Sequence, residues 1–447
     1  MTRLRLNLRK RPVFNSVAGC LALFCLAKVT WPQEYTSLQR AQTQAMLSDV
    51  ANDVKKHYYD PRLHGIDWDA KVRETEEKIK KTNSLNVALS DIAALLDSLN
   101  DSHTFFLPPR RSYVHDYGFQ MRMIGDRCYV VRVRPGSDAE SKGVKPGDEI
   151  VTVNGYTPTR ADFWRMHFLF WVLRPQFALR LQLRNPAGTG RQVDVNAKIR
   201  ELQLVKDLSG SLSGSMILDI IRKQENEEDL LRPQFVEKGN ALLIVRLPQF
   251  LSPSDVDSVI RKMREHESVI LDLRNNPGGR EDALQSLLGA AFEDKVKIGE
   301  RIGRGKSKPI ETEPQHHQFT GKLEVLIDSN SASASELLAR VVQIQKRGLI
   351  IGDRSSGKVM ESLQYQHLAG FDTFTIFGDS VTEADIRMTD GESLEGKGVL
   401  PDELIFPDPS DLANGRDPVL AKAAESLNVK MSAEEAGKLF PYVWPKD

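Results

Sequence analysis

The stretch KLEVLIDSNSASASELLARVVQIQKRGLIIGDRSSGK, residues 322–358, decides the fold. It contains two short apolar runs, and between them apolar residues recur at the three- and four-residue spacing of a helix. A strand, a helix and a strand in this order predict a parallel pair joined by a crossover. Other apolar runs alternate with helical patterns from residue 241 onward. The alternation predicts an α/β domain with a substantially parallel sheet over residues 241–407.

The rest of the chain divides into segments of different character. At 447 residues it is too long for one core, so two or three domains are expected. Residues 34–112 show helical periodicity and predict a small helical bundle, whereas residues 113–200 hold short apolar runs between turn residues, which indicate strands. Residues 201–240 are polar and predict a connector, and residues 408–447 predict a peripheral helical tail.

One helix is predicted within the strand-rich segment, at RADFWRMHFLFWVL, residues 160–173. Its aromatic side chains fall on more than one face. Two interpretations fit this pattern equally well. The helix is either buried on all sides, or it has one face on a core and another face on a groove or a domain contact.

The N-terminus combines basic residues with a short apolar run. MTRLRLNLRKR contains five basic residues and no acid, and fifteen uncharged residues from Val13 to Ala27 follow. The apolar run is shorter than the roughly 20 residues of a spanning helix. Residues 1–30 therefore predict an export signal or, if they are not cleaved, a membrane anchor. Either case places the protein in the periplasm or another extracytoplasmic compartment.

The composition argues against several functions. Lys+Arg and Asp+Glu both number 61, so no excess of charge favours binding to nucleic acid. Cys128 is the one cysteine left after removal of the N-terminal segment, and its apolar surroundings predict a buried side chain. His316 and His317 lie in a polar loop and predict solvated side chains. Because the sequence contains no spaced Cys/His set, neither a metal nor another cofactor is expected.

The glycine turn GDRSSGK, residues 352–358, allows three interpretations of Lys358. It resembles a phosphate-binding loop, but Val359 stands where Ser or Thr is needed, and the following residues lean toward strands. Ser355 and Lys358 have the spacing used by penicillin-binding enzymes, but the loop is a poor helix and no Lys-Thr-Gly element occurs. In the third interpretation Lys358 is the base for a serine further back in the sequence.

Three serines, Ser331, Ser333 and Ser335, lie at the predicted strand-to-helix junction, where helix N-terminal amides can stabilise an oxyanion. A serine nucleophile needs a base, and a lysine can serve if burial lowers its pKa from about 10.4 to near 7. DLRNNPGG, residues 272–279, ends another apolar strand in a glycine turn. Because ligands bind at the carboxyl ends of strands in such sheets, we expect the serines, this turn and Lys358 to meet.

Six motifs occur in an order that resembles one family. They are DSHTFFLPP (101–109), GSDAESKGVKPGDEIVTVNG (136–155), VILDLRNNPGG (269–279), NSASASE (330–336), GDRSSGK (352–358) and DGESLEGKGVLPDE (390–403). The chain resembles the C-terminal processing, or tail-specific, proteases, which are serine peptidases with a PDZ domain and a Ser-Lys dyad. The resemblance covers roughly residues 40–406. It implies a multidomain α/β protein with a helical N-terminal domain, a β-sandwich-like PDZ domain and a crotonase/ClpP-like protease domain.

The resemblance also implies the catalytic residues. Ser333 corresponds to the family's nucleophile, and Lys358, 25 residues later, corresponds to its general base. The oxyanion hole would use the N–H of Ala334 and one N–H from Gly278 or Gly279. These assignments predict acyl transfer without a metal or a cofactor.

The implied PDZ domain supplies a second predicted site. Its carboxylate-binding loop would consist of Tyr117, Gly118, Phe119 and Gln120. A peptide C-terminus would then lie as an added strand beside QMRMI, residues 120–124. The implied partners are protein or peptide substrates with free C-termini, together with a second copy of the chain that pairs through the helical N-terminal region.

Three positions depart from the family pattern. Ser362 stands where many members have a lysine-orienting Gln, Ile344 replaces an Asp found in some members, and Val359 replaces the second glycine of Gly-Lys-Gly. A hydroxyl can substitute for the amide, so Ser362 is the expected lysine-orienting residue. The sequence therefore predicts an exported serine endopeptidase in which Ser333 attacks and Lys358 accepts the proton. The alternative on the same scaffold is a catalytically inactive, peptide-binding PDZ protein.

Overall fold

The computed structural model of the chain describes residues 35–201, 231–312, 314–370 and 375–444. The predicted export signal or anchor at residues 1–30 lies outside these ranges, as does most of the predicted connector. Within the described ranges, no helix is both long enough and apolar enough to cross a membrane.

Helices fill the first described stretch, as its periodicity predicts. They are α1 (Ser37–His57), α2 (Trp68–Lys81) and α3 (Leu85–Asp97), and β1 (Phe105–Leu107) follows them. The side chains of Thr36 and Asp67 cap α1 and α2. The buried faces of the three helices share one core with Phe106, Phe377 and Val381 of an antiparallel sheet. The helices therefore form a layer on this sheet rather than a separate bundle.

The second stretch is rich in strands. It contains β2 (Tyr113–Asp116), β3 (Phe119–Ile124), β4 (Arg127–Val133), α4 (Asp138–Ser141), β5 (Glu149–Val153), α5 (Phe163–His167), a π-helical turn (Phe168–Leu173), β6 (Ala178–Arg184), β7 (Gly190–Asn196) and β8 (Lys198–Glu201). β3 to β7 form an antiparallel sheet in sequence order, and β2 pairs with β8. Within the described strands β3 pairs with β4 alone, so its other edge is open.

The aromatic helix α5 has both a core face and a cavity face. Met166 is buried in the core of the β3–β7 sheet, together with Val130 and Leu179. Trp164 and Trp171 line a large cavity. The interpretation with one core face and one groove face is therefore confirmed.

The third stretch contains the predicted alternation of strands and helices. Its elements are β9 (Gln234–Lys238), β10 (Leu242–Arg246), α6 (Pro253–Met263), β11 (Ser268–Asp272), α7 (Glu281–Ala291), β12 (Lys297–Gly303), β13 (Lys306–Glu311), β14 (Lys322–Ile327), α8 (Ala334–Ile344), β15 (Gly348–Gly352), β16 (Met360–Ala369), β17 (Thr375–Met388) and β18 (Glu403–Leu404). Since β9 lies within residues 201–240, the connector prediction is wrong for this part.

A mainly parallel sheet organises this stretch, in the order β18-β15-β14-β11-β10-β9. All of its pairs are parallel except β10–β9. Alternate residues of β10 point to opposite faces of the sheet, and both faces are buried: Leu243 packs with α6–α8, whereas Ile244 packs with the C-terminal helices. The prediction of a substantially parallel sheet is confirmed.

A second, antiparallel sheet is built from β1, β12, β13, β16 and β17. β17 pairs with β16 on one edge and with β1 and β12 on the other. The sequence analysis placed β12, β13, β16 and β17 in the same domain as the parallel sheet and missed the pairing of β17 with β1. Because β1 begins two residues after His103, this sheet brings the DSHTFFLPP motif to the region of the GDRSSGK turn.

The C-terminal segment forms α9 (Pro409–Asn414), α10 (Pro418–Ser426) and α11 (Ala433–Lys438). Leu420, Ala423 and Ala424 of α10 are fully buried against Ile244 and Leu326 of the parallel sheet. The prediction of a peripheral tail is therefore wrong, because these helices cover the second face of the sheet. Because many side chains of α10 are short and apolar, helical periodicity alone does not distinguish α10 from a surface helix.

Candidate active site

The serine run lies between β14 and α8, at the carboxyl edge of the parallel sheet. The Ser331 hydroxyl donates to the Leu273 carbonyl at 2.8 Å, and the Ser335 hydroxyl donates to the Asn276 carbonyl at 3.1 Å. Both serines are fully buried, whereas Ser333 between them is half-buried. Ser333 occupies the N-cap position of α8 with a φ of 53° and a ψ of −118°, which is a strained conformation for a residue with a Cβ. The outer serines serve structure, which leaves Ser333 as the candidate nucleophile.

A single buried carboxylate, that of Glu336, connects the Ser333 turn to the Lys358 turn. Its Oε2 accepts the N–H groups of Ser333 at 3.1 Å and Lys358 at 2.9 Å. Its Oε1 accepts the N–H of Gly357 at 2.8 Å and the hydroxyl of Ser355 at 2.6 Å. Burial raises the pKa of Glu336 to about 7, although these donors favour the charged form. These four hydrogen bonds connect the Ser333 turn and the Lys358 turn to the same carboxylate and fix their relative position.

Lys358 follows β15, and its backbone carbonyl accepts the N–H of Ser333 at 2.8 Å. Burial lowers the pKa of Lys358 to about 8, against the opposing effect of the charges on Glu336 and Glu395. Its Nζ lies 5.1 Å from the ring centre of Trp164, on α5. Within the described chain no hydrogen bond joins Lys358 Nζ to Ser333 Oγ, so the two residues meet through their backbones.

The glycine turn after β11 lies against the serine turn. A Cβ on Gly278 would come within 2.6 Å of Ser333 Cβ and 2.9 Å of Ala334 N. The N–H of Gly278 donates to Asn276 Oδ1 at 2.8 Å and is therefore occupied. Among the described residues, the N–H groups of Gly279 and Ala334 have no such acceptor. Of the two glycines that the sequence left open, Gly279 is therefore the better candidate for the oxyanion hole, together with Ala334.

A second polar group faces the site from the antiparallel sheet. The hydroxyl of Ser102 lies 2.7 Å from His103 Nδ1 and donates to Glu395 Oε2 at 2.9 Å. A hydroxyl carries one hydrogen, so with Glu395 ionised His103 must donate from Nδ1, and its Nε2 is then a free base. Burial lowers the pKa of His103 to about 4, and the charge of Lys358 adds to the effect. His103 is therefore neutral at pH 7.

The predicted lysine-orienting residue lines the same cavity as the lysine but has a different hydrogen-bond partner. Ser362, on β16, accepts a hydrogen bond from the Ser380 hydroxyl at 3.0 Å. Ser362, His103 and Lys358 line one cavity of about 630 Å³. Ser362 thus shares a cavity with the lysine, while its hydroxyl is hydrogen-bonded to Ser380.

A larger cavity of about 1290 Å³ extends from Lys358 to the β3–β7 sheet. Its lining combines the open edge of β3 with aromatic side chains of α5 and the π-helical turn; these residues include Met121, Met123, Trp164, His167 and Trp171. An extended peptide paired with the edge of β3 would lie in this cavity, with Lys358 at its far side.

Two ion pairs hold the β3–β7 sheet over the parallel sheet. Arg122 contacts Asp328 at 2.8 Å, and Arg160 contacts Asp353 at 2.5 Å. Asp328 and Asp353 directly follow β14 and β15, the strands that lead to Ser333 and Lys358. The same contacts that join the two sheets therefore determine where Trp164 lies relative to Lys358.

The predicted carboxylate-binding loop adjoins the large cavity. Tyr117 is buried, and its hydroxyl donates to the Gln176 carbonyl at 2.7 Å. Gly118 has a φ of 72°, and its N–H donates to Asp116 Oδ1 at 2.9 Å. Phe119 is buried against Trp171, with the two ring centres 6.4 Å apart. The backbone N–H of Gly118 is thus already bound by a carboxylate of the chain itself.

Gln120, the fourth residue of the loop, contacts the C-terminal segment. Its Nε2 donates to the Tyr442 hydroxyl at 2.6 Å, and its Oε1 accepts from Arg132 at 3.0 Å. The Arg132 guanidinium lies 4.3 Å from the ring centre of Tyr442, and the Arg134 guanidinium lies 4.7 Å from that of Trp444. The C-terminal residues therefore pack on the face of β3 and β4 that borders the cavity.

The N–H groups of Gly357 and Lys358 bind the Glu336 carboxylate, and a strand follows them, so the turn is not a phosphate-binding loop. Cys128 is buried in β4, and His316 and His317 are exposed, as predicted.

Sequence reasoning missed four residues around the site: Glu336, His103, Glu395 and Trp164. The first three stand inside motifs that carry the resemblance, but no local pattern shows that their side chains meet. Trp164 could be suspected from the aromatic helix, although its contact with Lys358 arises only from the packing of the two sheets.

These features define a class of protein: an α/β protein whose parallel sheet presents a serine at a strained strand-to-helix turn, with a lysine on the neighbouring turn. Comparison with known proteins narrows the class. Residues 241–405 match peptidase family S41. This part of the chain is a peptidase family S41 domain.

The relatives cover more of the chain. Carboxyl-terminal-processing peptidase 3, chloroplastic, of Arabidopsis thaliana is 26% identical over 370 residues, which are 77% of this chain and 67% of the relative. The tail-specific protease of Haemophilus influenzae is 26% identical over 388 residues, which are 76% of this chain and 52% of the relative. The chain thus spans about half to two thirds of the length of these relatives.

A solved structure shares the overall fold. Mature CPAF complexed with lactacystin superposes with a TM-score of 0.62 at 15% identity, and the match covers 88% of this chain and 98% of that one. The similarity extends beyond residues 241–405, so it includes much of the chain outside the S41 domain.

Proposed function

We propose that this protein is an exported serine endopeptidase with Ser333 as its nucleophile and Lys358 as its general base. One observation carries the proposal: the backbones of both residues bind the same buried Glu336 carboxylate. The burial that lowers the pKa of Lys358 to about 8 supports it. A lysine with this pKa is neutral in part of the molecules at pH 7 to 8, as a general base must be. The S41 domain supports the same reaction class.

The proposed reaction follows from the positions of these groups. Ser333 Oγ attacks the peptide carbonyl carbon while Lys358 Nζ takes the hydroxyl proton. The N–H groups of Ala334 and Gly279 bind the oxyanion. Collapse of the intermediate releases the amine, which takes the proton from Lys358, and water then hydrolyses the acyl-enzyme. To accept the proton of the Ser333 hydroxyl, Lys358 Nζ must turn away from Trp164 towards Ser333.

The substrate would enter as an added strand. The β3–β7 sheet would act as a PDZ domain, with the open edge of β3 pairing with a substrate that has a free C-terminus. The large cavity that joins this edge to Lys358 supports the arrangement. Pairing of two chains through α1–α3, and export through residues 1–30, complete the proposal.

His103 is a second candidate for the general base, because it is neutral and lines the same small cavity as Lys358. The two bases predict different pH profiles. With Lys358 as the base, kcat/KM rises through pH 8, where the lysine loses its proton. With His103 as the base, kcat/KM rises near pH 4, where the imidazole loses its proton, and is constant above pH 6.

The test is cleavage of casein by the purified chain between pH 5 and 10, with Ser333→Ala, Lys358→Ala and His103→Ala as variants. We expect Ser333→Ala to be inactive and Lys358→Ala to lose about 10²–10⁴-fold in rate. The wild-type profile should rise near pH 8, and His103→Ala should keep this rise. If wild-type activity is instead constant above pH 6 and His103→Ala is inactive, His103 and not Lys358 is the general base.

The alternative function is a catalytically inactive protein that binds peptides. A fluorophosphonate probe separates it from the enzyme, because the probe labels an activated serine without the need for a matching substrate. Labelling of wild type but not of Ser333→Ala supports the enzyme. Peptide binding without labelling would leave the binding function and exclude the proposed catalysis.

A further inference from the structure

Three side chains on the side of the antiparallel sheet that faces α1 converge on one point. They are Asp53 of α1, His367 of β16 and Asp379 of β17, and one ligand atom from each lies within 4.8 Å of the others. His367 Nε2 is 2.7 Å from Asp53 Oδ2 and 3.4 Å from Asp379 Oδ1. The group belongs neither to the candidate active site nor to a motif that carries the family resemblance.

Asp379 supplies an independent indication that something is bound there. It is fully buried, and neither of its carboxylate oxygens has a hydrogen-bond partner in the described part of the chain. His367 Nε2 carries at most one hydrogen, and Asp53 at 2.7 Å is the nearer acceptor. A buried carboxylate without a donor is costly, so native proteins normally satisfy it with a hydrogen bond or an ion.

The charge around the point is negative. Asp49, one helical turn before Asp53 on α1, lies close enough for its charge to affect Asp379. Two carboxylates thus contact one imidazole, and a third, that of Asp49, adds negative charge nearby. A cation at this point would neutralise the carboxylates and would bond to both oxygen and nitrogen.

We propose that Asp53, His367 and Asp379 form a site for a divalent transition metal of the zinc type. Imidazole nitrogen and carboxylate oxygen are ligands that Zn²⁺ accepts, at about 2.0–2.2 Å. Two ligands at such distances in a tetrahedron are about 3.3 Å apart. The separation of 3.4 Å between His367 Nε2 and Asp379 Oδ1 is close to this value, whereas Asp53 Oδ2, 2.7 Å from the same nitrogen, would have to move back to make room for the ion. The half-buried Asp53 and His367 leave an entry path from solvent.

The site would join α1 to the β16–β17 hairpin. β17 continues from Asp379 to Ser380, which contacts Ser362 in the small cavity of the candidate active site. A bound ion would therefore stabilise the sheet that forms one wall of the active site, without itself touching the reacting atoms.

The test uses the full chain without a histidine tag, stripped with a chelator and titrated with ZnCl₂ in a calorimeter. We expect one Zn²⁺ per chain and a raised Tm. Asp379→Asn, His367→Gln and Asp53→Asn should each weaken binding at least tenfold. Asp385→Asn is the matched control, because it removes a carboxylate from the same strand outside the site. CaCl₂ should bind more weakly, since calcium prefers a shell of oxygen ligands.

The outcomes decide the proposal in either direction. If wild type takes up no zinc, or if Asp379→Asn and Asp53→Asn bind it as wild type does, the site does not exist. If Asp379→Asn does not fold, as judged by circular dichroism, Asp53→Asn decides alone, because Asp53 is half-exposed. Equal loss of binding in Asp385→Asn would show that the variants act through general destabilisation and would overturn the assignment.

Discussion

The two sides of the candidate active site are built in different ways. On the parallel-sheet side, backbone N–H groups of Ser333, Gly357 and Lys358 bind the Glu336 carboxylate. On the opposite side, His103 precedes β1 of the antiparallel sheet, and Trp164 lies on α5, which packs on the β3–β7 sheet. Side-chain contacts join these two residues to their neighbours in the site. Backbone bonds to one buried atom group fix a position more tightly than contacts between long side chains. The position of the candidate nucleophile Ser333 is therefore fixed within the S41 domain, while the surroundings of Lys358 depend on how three sheets pack.

We expect the largest effect from a substitution of Glu336, the carboxylate that connects the two turns on the parallel-sheet side. Glu336→Gln replaces acceptor lone pairs with an NH₂ group that points at backbone N–H donors. Because each unsatisfied buried donor costs about 1–3 kcal/mol, we expect unfolding free energy to fall by roughly 3–5 kcal/mol. Casein cleavage should be lost with it. Urea denaturation measures the change, and an unchanged midpoint would mean that Glu336 does not hold the two turns.

A smaller change on the same side tests the close approach of the glycine turn. Gly278→Ala places a Cβ 2.6 Å from Ser333 Cβ at a φ of 97°, so the serine must move. A displacement of this kind costs about 10²-fold in rate. Gly188→Ala is the control, because it has a similar φ of 87° but no atom within 4 Å of the new Cβ. Equal activities of the two variants would contradict the contact.

Ser102→Ala tests the opposite side, because it removes the link between Glu395 and His103. If Lys358 is the base, we expect kcat/KM to fall by less than about tenfold. A loss of 10²-fold or more would assign His103 a direct role, since that is the usual contribution of a general base. Steady-state cleavage of a fluorogenic peptide at pH 8 measures the change, with Ser362→Ala as a comparison from the same cavity.

The smallest effect should be a shift in pH dependence on replacing Trp164. Burial lowers the pKa of Lys358, and Trp164→Ala admits water to its ammonium group. We expect the pKa to rise from about 8 towards its ordinary value, because desolvation is the largest cause of its shift. The rate at pH 7.5 should fall while the rate at pH 10 is kept. A shift to lower pH would show that the cation–π contact outweighs desolvation.

Prediction from sequence worked where the signal is local. Strand-helix alternation gave the parallel sheet, and apolar spacing gave the helices before β1. It failed for α10, whose burial depends on the sheet face it covers, and for β1, whose partner β17 lies far along the chain. For the site, Ser333 and Lys358 came from the motifs and their spacing. The role of Glu336 could not be predicted, because it depends on where two turns meet.

The sequence by itself determined most helices and strands of residues 241–407 and their order, because periodicity and turn residues act over a few positions, and its motifs supplied Ser333 and Lys358 as candidates. The tertiary structure decided which serine keeps a half-exposed position, which glycine leaves its N–H free, and which side chains surround the lysine. Ser102 and Glu395, for example, are 293 positions apart and share a hydrogen bond. Contacts of this kind are fixed only when sheets pack and bury their polar groups, and burial is what lowers the pKa of Lys358.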